Sequence, residues 1–400
     1  MAALGALLAL SLSAYPQSAG RPAAKRQVPE KAKPSTRADS EFDQLVKRAD
    51  STREATQLAE ALELYMKALQ IRPKWAEGWW FAGTILYEND SYADARDAFR
   101  KLVALEPKRA HAWGMLGLCE FQTREYERAM ASLQRGRTLG LTDNHEIESV
   151  VRYHTALLYN RFEQFEVAFE ILNEFVREGR ESPKIVEAFG LTMLRMAFLP
   201  NEIPPDKREQ VLIAGRAGFD MAARRLDEAR RAFAELLARY PDSPNVHYIY
   251  GVFLLKQDPD AALEEFRREL KVSPDHVPSL LQMAFEYHKR NEFETALPLA
   301  EKAAQQAPKM FAAHNILGRL LLELGQLERA VKELEEGVRL APQSPEMHYA
   351  LARAYMRAGR KEDAAREREI FQRLEELQNK KQDNPQSEGG ADNNRPTAKP

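Results

Sequence analysis

Residues 79–107 read WWFAGTILYENDSYADARDAFRKLVALEP, and residues 314–342 read HNILGRLLLELGQLERAVKELEEGVRLAP. Laid one over the other, these stretches share Gly83 with Gly318, Ala95 with Ala330 and Pro107 with Pro342. The same markers recur along the chain. Alanines at 61, 95, 129, 168, 229, 262, 296, 330 and 364 are separated by 34 residues five times and by 33 once. Twelve residues after six of them stands Pro73, Pro107, Pro241, Pro274, Pro308 or Pro342. Twelve residues before eight of them stands Ala49, Gly83, Gly117, Ala156, Ala217, Ala284, Gly318 or Ala352, and Gly251 precedes Ala262 one place closer.

Between the markers the chain is rich in Ala, Leu, Glu, Arg and Lys, with apolar residues at the three- and four-residue steps of amphipathic helices. Around Gly117, the residues Trp113, Leu116, Gly117 and Glu120 fall along one helix and Ala129 and Leu133 along the next. The polar stretch Gln122-Thr123-Arg124-Glu125 separates them. A glycine inside a helix costs about 1 kcal/mol relative to alanine, so its recurrence needs a packing reason. Small residues on facing helices supply one, because they let two backbones approach closely. Proline then ends the second helix, having no N–H to donate. Neither helix of such a pair buries its apolar face alone, so the expected fold class is all-α, built of stacked antiparallel helix pairs.

The pattern resembles the tetratricopeptide repeat family, W-x2-L-G-x2-Y followed by A-x3-F and P. The second unit matches it with Trp79, Ala82, Gly83, Leu86, Ala95, Phe99 and Pro107; the eighth with His314, Leu317, Gly318, Leu321, Ala330, Leu334 and Pro342. The resemblance covers residues 40–378. It implies a right-handed superhelical solenoid of about nine units and a function of binding other proteins.

Composition bounds the function. Net charge is −2, so no overall basic pull draws the chain to nucleic acid or lipid. Cys119 is the only cysteine, which excludes an intrachain disulfide and a thiolate metal cluster. No phosphate-binding glycine loop, G-x-S-x-G or H-E-x-x-H occurs, and the Asp and Glu residues form no catalytic pairing. His247, His314 and His348 take the fourth place of their repeats, where Trp79 and Trp113 stand elsewhere, and are expected to be packed, hydrogen-bonded core residues. The chain is therefore expected to be non-enzymatic, without cofactor or metal.

Six segments are expected: 1–19, an apolar run resembling a signal peptide and too short to span a bilayer; 20–39, a basic linker; 40–180, a first stack; 181–209, an unpaired helix with a proline-rich loop; 210–378, a second stack with a capping helix; and 379–400, a polar tail. The apolar run predicts export, periplasmic or secreted, with a cytoplasmic protein as the alternative.

In solenoids that resemble this one the first helices line the concave surface, so their non-core stripe at i, i+4 and i+7 is the expected binding groove. In the first stack the stripe is aromatic, with Trp80, Tyr87, Phe121 and Tyr153 as binding candidates and no packing role assigned to Trp80. In the second stack it is basic, with Lys289, Asn315, Arg319, Tyr349, Arg353 and Arg357 as candidates. Arg319 and Arg353 are 34 residues apart and should stand on one wall, suiting a carboxylate held bidentately. The expected partner is a protein or an extended peptide with apolar anchors and acidic groups. A self-associating, architectural role in an envelope assembly is the alternative.

Overall fold

The computed structural model describes residues 37–141 and 145–383. The apolar segment 1–19, nearly all of the linker 20–39 and the tail beyond 383 lie outside the described residues. Among those described, 19 α-helices and one 3-10 turn occur, without a strand. The chain divides into two compact units, one ending at Leu158 and the other beginning at Tyr159.

The first unit contains α1 (Arg37–Glu54), α2 (Leu58–Ile71), α3 (Ala76–Glu88), α4 (Tyr92–Leu105), α5 (Ala110–Gln122) and α6 (Tyr126–Leu139), and α7 (His145–Arg161) crosses its limit. Helices α1 and α2, α3 and α4, and α5 and α6 form pairs, and each pair packs on the next. The second unit holds α8 (Phe165–Arg177), α9 (Pro183–Met193), α10 (Arg208–Ala222), α11 (Leu226–Arg239), α12 (Val246–Leu254), α13 (Pro259–Val272), α14 (Val277–Lys289), α15 (Phe293–Gln306), α16 (Phe311–Glu323), α17 (Leu327–Leu340), α18 (Pro345–Arg357) and α19 (Lys361–Asp383). From α10 onward these helices pair in sequence, and the first helices α14, α16 and α18 also lie side by side.

All nine ladder alanines are fully buried, at 0% exposure. Their partners explain the recurring glycines. A Cβ on Gly83 would stand 2.8 Å from Phe99, one on Gly117 2.7 Å from Leu133, and one on Gly318 2.5 Å from Leu334, each neighbour lying on the second helix of the same pair. Four fourth-place residues close their repeats in a common way. Nε1–H of Trp79 donates to the Pro73 carbonyl at 2.8 Å and that of Trp113 to the Pro107 carbonyl at 2.9 Å. His314 and His348 make the same bond through Nε2, to Pro308 at 3.0 Å and Pro342 at 2.9 Å. Their Nδ1 atoms face Glu333 at 2.8 Å and Glu367 at 2.6 Å, a contact indole cannot make.

The division into compact units falls at Leu158/Tyr159. The helix expected to be unpaired, α9, packs tightly on α10 and also on α8. Glycines permit it: a Cβ on Gly190 would lie 1.9 Å from the Val211 carbonyl oxygen, and one on Gly215 2.0 Å from that of Val186. The proline-rich loop does not hang free either, since Leu199 and Ile203 are buried.

Downstream, a polar node secures the entry to α12. Asn245 sits in the left-handed region (φ 71°), its side-chain amide donating to the Leu194 carbonyl at 3.0 Å. The buried Glu269 carboxylate accepts from the backbone N–H of Asn245 at 2.8 Å and of Tyr248 at 3.2 Å. His276 caps α14, its Nδ1 accepting from Ser279 N–H at 3.3 Å while Nε2–H donates to Asn245 Oδ1 at 3.0 Å. Burial, reinforced by the charge of Arg195, pushes the His276 pKa down to about 4. A depressed folded value means the fold holds the neutral ring, so this contribution is present above the ordinary histidine range and fades as pH falls toward 4. Acidification from pH 7 to 4 should therefore remove about 2 kcal/mol through this group, a figure reduced for its partial exposure. His276→Asn keeps a capping side chain that does not titrate. Urea unfolding of this variant should show a shallower acid loss than the parent chain, and identical profiles would remove His276 from the account.

Candidate functional site

The aromatic stripe of the first unit is not an open groove. Trp80 is 9% exposed, edge-on to Phe99 at 5.8 Å between ring centroids, with the Arg109 guanidinium 4.8 Å over its indole. Tyr87 is buried against Tyr92 at 5.3 Å. Phe121 is half-buried, edge-on to His154 at 4.7 Å and Tyr126 at 5.8 Å, and Tyr153 lies against His154 at 5.4 Å. The reason is geometric. A first helix inside the stack touches its own partner helix and the neighbouring repeats, so burial extends around most of its circumference. In α5, nine of 13 residues are buried, which leaves no continuous exposed stripe.

The second unit differs. Its stripe opens toward the last repeats: Leu281, Phe285 and His288 on α14 are half-buried, as are Asn315 and Arg319 on α16. On α18, Tyr349 is 51% exposed, and Arg353, Met356 and Arg357 are also exposed. Tyr349 rests on Phe371 of α19 at 5.5 Å, leaving much of its ring toward solvent.

Charge on this wall is unevenly compensated. Glu323 stands at 3.2 Å from Arg353 and 3.3 Å from Arg357, so one carboxylate serves two guanidinium groups of α18. Lys289 is committed to Glu286 of its own helix at 3.0 Å. Arg319 has no ion pair or hydrogen bond among the described residues, although Glu323 and Glu346 act on it at longer range. Burial and then the Arg353 charge hold its pKa below the ordinary arginine value. Two further polar atoms nearby, Asn315 Oδ1 and His288 Nε2, are buried without a hydrogen-bond partner. Thus Arg319, Arg353 and Arg357 are brought together, Asn315 lies one turn from Arg319, and Lys289 is neutralised locally. His288 belongs to the expected stripe, but its position in the sequence did not single it out. An unfilled ring nitrogen beside two arginines becomes visible only in three dimensions.

Burial raises the Cys119 thiol pKa well above its ordinary value, as an inert core residue requires. Among the described residues no cluster of three His, Cys, Asp or Glu could hold a metal ion, and no helix is long and apolar enough to cross a membrane.

Paired helices in a 34-residue period, with first helices side by side presenting a partly open polar wall, define a helical-repeat scaffold for protein–protein interaction. Residues 46–107, 82–140, 220–277 and 287–350 each match the tetratricopeptide repeat, and the chain belongs to that family. Proteins of this family bind protein partners. Solved structures of MamA overlay part of the chain. MamA 41-end from Desulfovibrio magneticus RS-1 is 23% identical over 42% of this chain and 97% of its own, with a TM-score of 0.39. The RS-1 ArsTM double mutant is 23% identical over 43% and 97%, TM-score 0.40, and AMB-1 MamA 25% identical over 39% and 94%, TM-score 0.36. These overlays are partial, and the family assignment rests on the repeats. No curated protein matches the chain.

Proposed function

We propose that this chain is a non-enzymatic scaffold that holds an extended, acidic segment of a partner protein against the first helices of its second unit. Arg319 carries the reading: a half-buried guanidinium without an ion pair among the described residues, one repeat from Arg353. Burying a cation without a counter-charge costs stability, and an incoming carboxylate recovers that cost. Arg353 and Arg357 share a single carboxylate, so the wall keeps a cationic surplus, while exposed Tyr349 and Met356 offer apolar anchorage.

The test is anisotropy of a fluorescein-labelled peptide alternating Glu and Leu, titrated with the full chain and with the Arg319→Ala/Arg353→Ala double variant. Charge removal should weaken binding by about 30-fold at low salt, and the gap should narrow as salt screens the wall. Equal affinity for parent and double variant would overturn the reading. The apolar segment 1–19 supports export from the cytoplasm; amino-terminal sequencing of the mature protein checks it, and an intact Met1 would overturn it.

A further inference from the structure

We infer that a carboxylate captured at Arg319 loads a proton onto His288, so that the second unit holds acidic segments more tightly in mildly acidic solution. The inference rests on the acidic-partner reading and adds to it a regulator, the proton.

His288 lies near the C-terminal end of α14, beside the side of the wall that carries the arginines. Its Nε2 is buried and makes no hydrogen bond among the described residues. From α15, Phe293 packs on the ring at 5.6 Å. Arg319 and Glu323 act on it from α16, and Arg353 from α18. On its own helix Glu286 is taken up by Lys289 at 3.0 Å and Arg290 at 3.5 Å. Burial holds the imidazole below its ordinary pKa, the two arginine charges add to that, and Glu323 opposes them.

The two arginines are not equivalent. Arg353 already has Glu323 at 3.2 Å, whereas Arg319 has no carboxylate within ion-pair distance among the described residues. Much of the repulsion on a protonated His288 therefore comes from a charge that nothing close cancels. A carboxylate on Arg319 cancels it and adds attraction, so the ring takes up a proton as the ligand binds. Direct contact between ligand and ring is not required. Linkage is reciprocal: if the anion raises the proton affinity, the proton raises the anion affinity by the same factor. Indole or aliphatic side chains at this position would leave the wall insensitive to pH between 8 and 6.

The experiment is calorimetric titration of the full chain with a hexaglutamate peptide at pH 8 and pH 6, in two buffers of different ionisation enthalpy. The peptide side chains stay ionised over this range, about two units above the ordinary glutamate value even at its acid end. Affinity should rise by about five-fold on going from pH 8 to pH 6, with net proton uptake read from the buffer difference. His288→Gln, checked by circular dichroism for an unchanged helical spectrum, should bind with no such rise and reduced uptake. Arg319→Gln should lose both affinity and proton uptake. Binding that is flat with pH in the parent chain, or a rise that persists in His288→Gln, overturns the proton link while leaving the acidic-partner reading intact. Absence of peptide binding at both pH values overturns the two together.

Discussion

Replacing Gly190 with alanine is expected to lower the unfolding free energy of the second unit by about 3 kcal/mol or more, among the larger effects a single methyl group can have. The added Cβ would meet the Val211 carbonyl oxygen at 1.9 Å and the carbonyl carbon at 2.7 Å. Backbone atoms cannot rotate aside as a side chain does, so α9 and α10 must move apart. Separation would loosen the core that Val211, Ala214 and Ala217 share with Leu191 and Met193. Gly215 meets the mirror constraint, its Cβ falling 2.0 Å from the Val186 carbonyl oxygen. Urea unfolding followed by circular dichroism reads the change. Gly179→Ala provides the contrast in kind: nothing lies within 4 Å of its Cβ, and its cost comes only from a left-handed backbone (φ 69°). If Gly190→Ala unfolds at the parent midpoint, the tight α9–α10 pairing is wrong.

Trp80→Ala should cost the first unit about 3 kcal/mol while leaving capture of an acidic peptide by the second unit unchanged. The indole is enclosed by Phe99 on its edge and Arg109 over its face. Its removal leaves a cavity that fixed neighbours cannot fill. The fluorescence of the remaining tryptophans, Trp75, Trp79 and Trp113, all of which lie in the first unit, reports the loss directly. A stable Trp80→Ala protein with impaired peptide binding would reinstate the open aromatic groove that the structure replaces with packing.

Both residues lie at the limits of what the repeat pattern conveys. The alanine ladder, the glycines opposite Phe99, Leu133 and Leu334, and the histidines standing in for tryptophan were all legible, because each is a contact within one repeat or with the turn just before it. Trp80 was misread because Phe99 of the partner helix and Arg109 at the start of the next pair enclose it, and periodicity along one helix does not say how many neighbours that helix has. The segment 181–209 looked unpaired because it lacks the ladder alanine. Gly190 stands where a first helix carries its small residue, but no second helix of the ladder follows it, and the close approach of Gly190 and Gly215 to the facing backbone needed the structure. Arg319 and Arg353 were placed on one wall by their 34-residue separation, whereas the sharing of Glu323 and the lack of a close counter-charge at Arg319 required coordinates.

By itself the sequence determined that this protein is an all-helical repeat scaffold, and which ladder alanines and facing glycines lie at the crossings of its regular pairs. Those features depend on a period, and a period repeats the same local contacts in every unit. Tertiary structure alone decided which polar wall stays open, which aromatic face is closed, and which charge remains uncompensated. Such properties depend on how many neighbours surround each helix and on the reach of individual side chains, neither of which a one-dimensional repeat encodes.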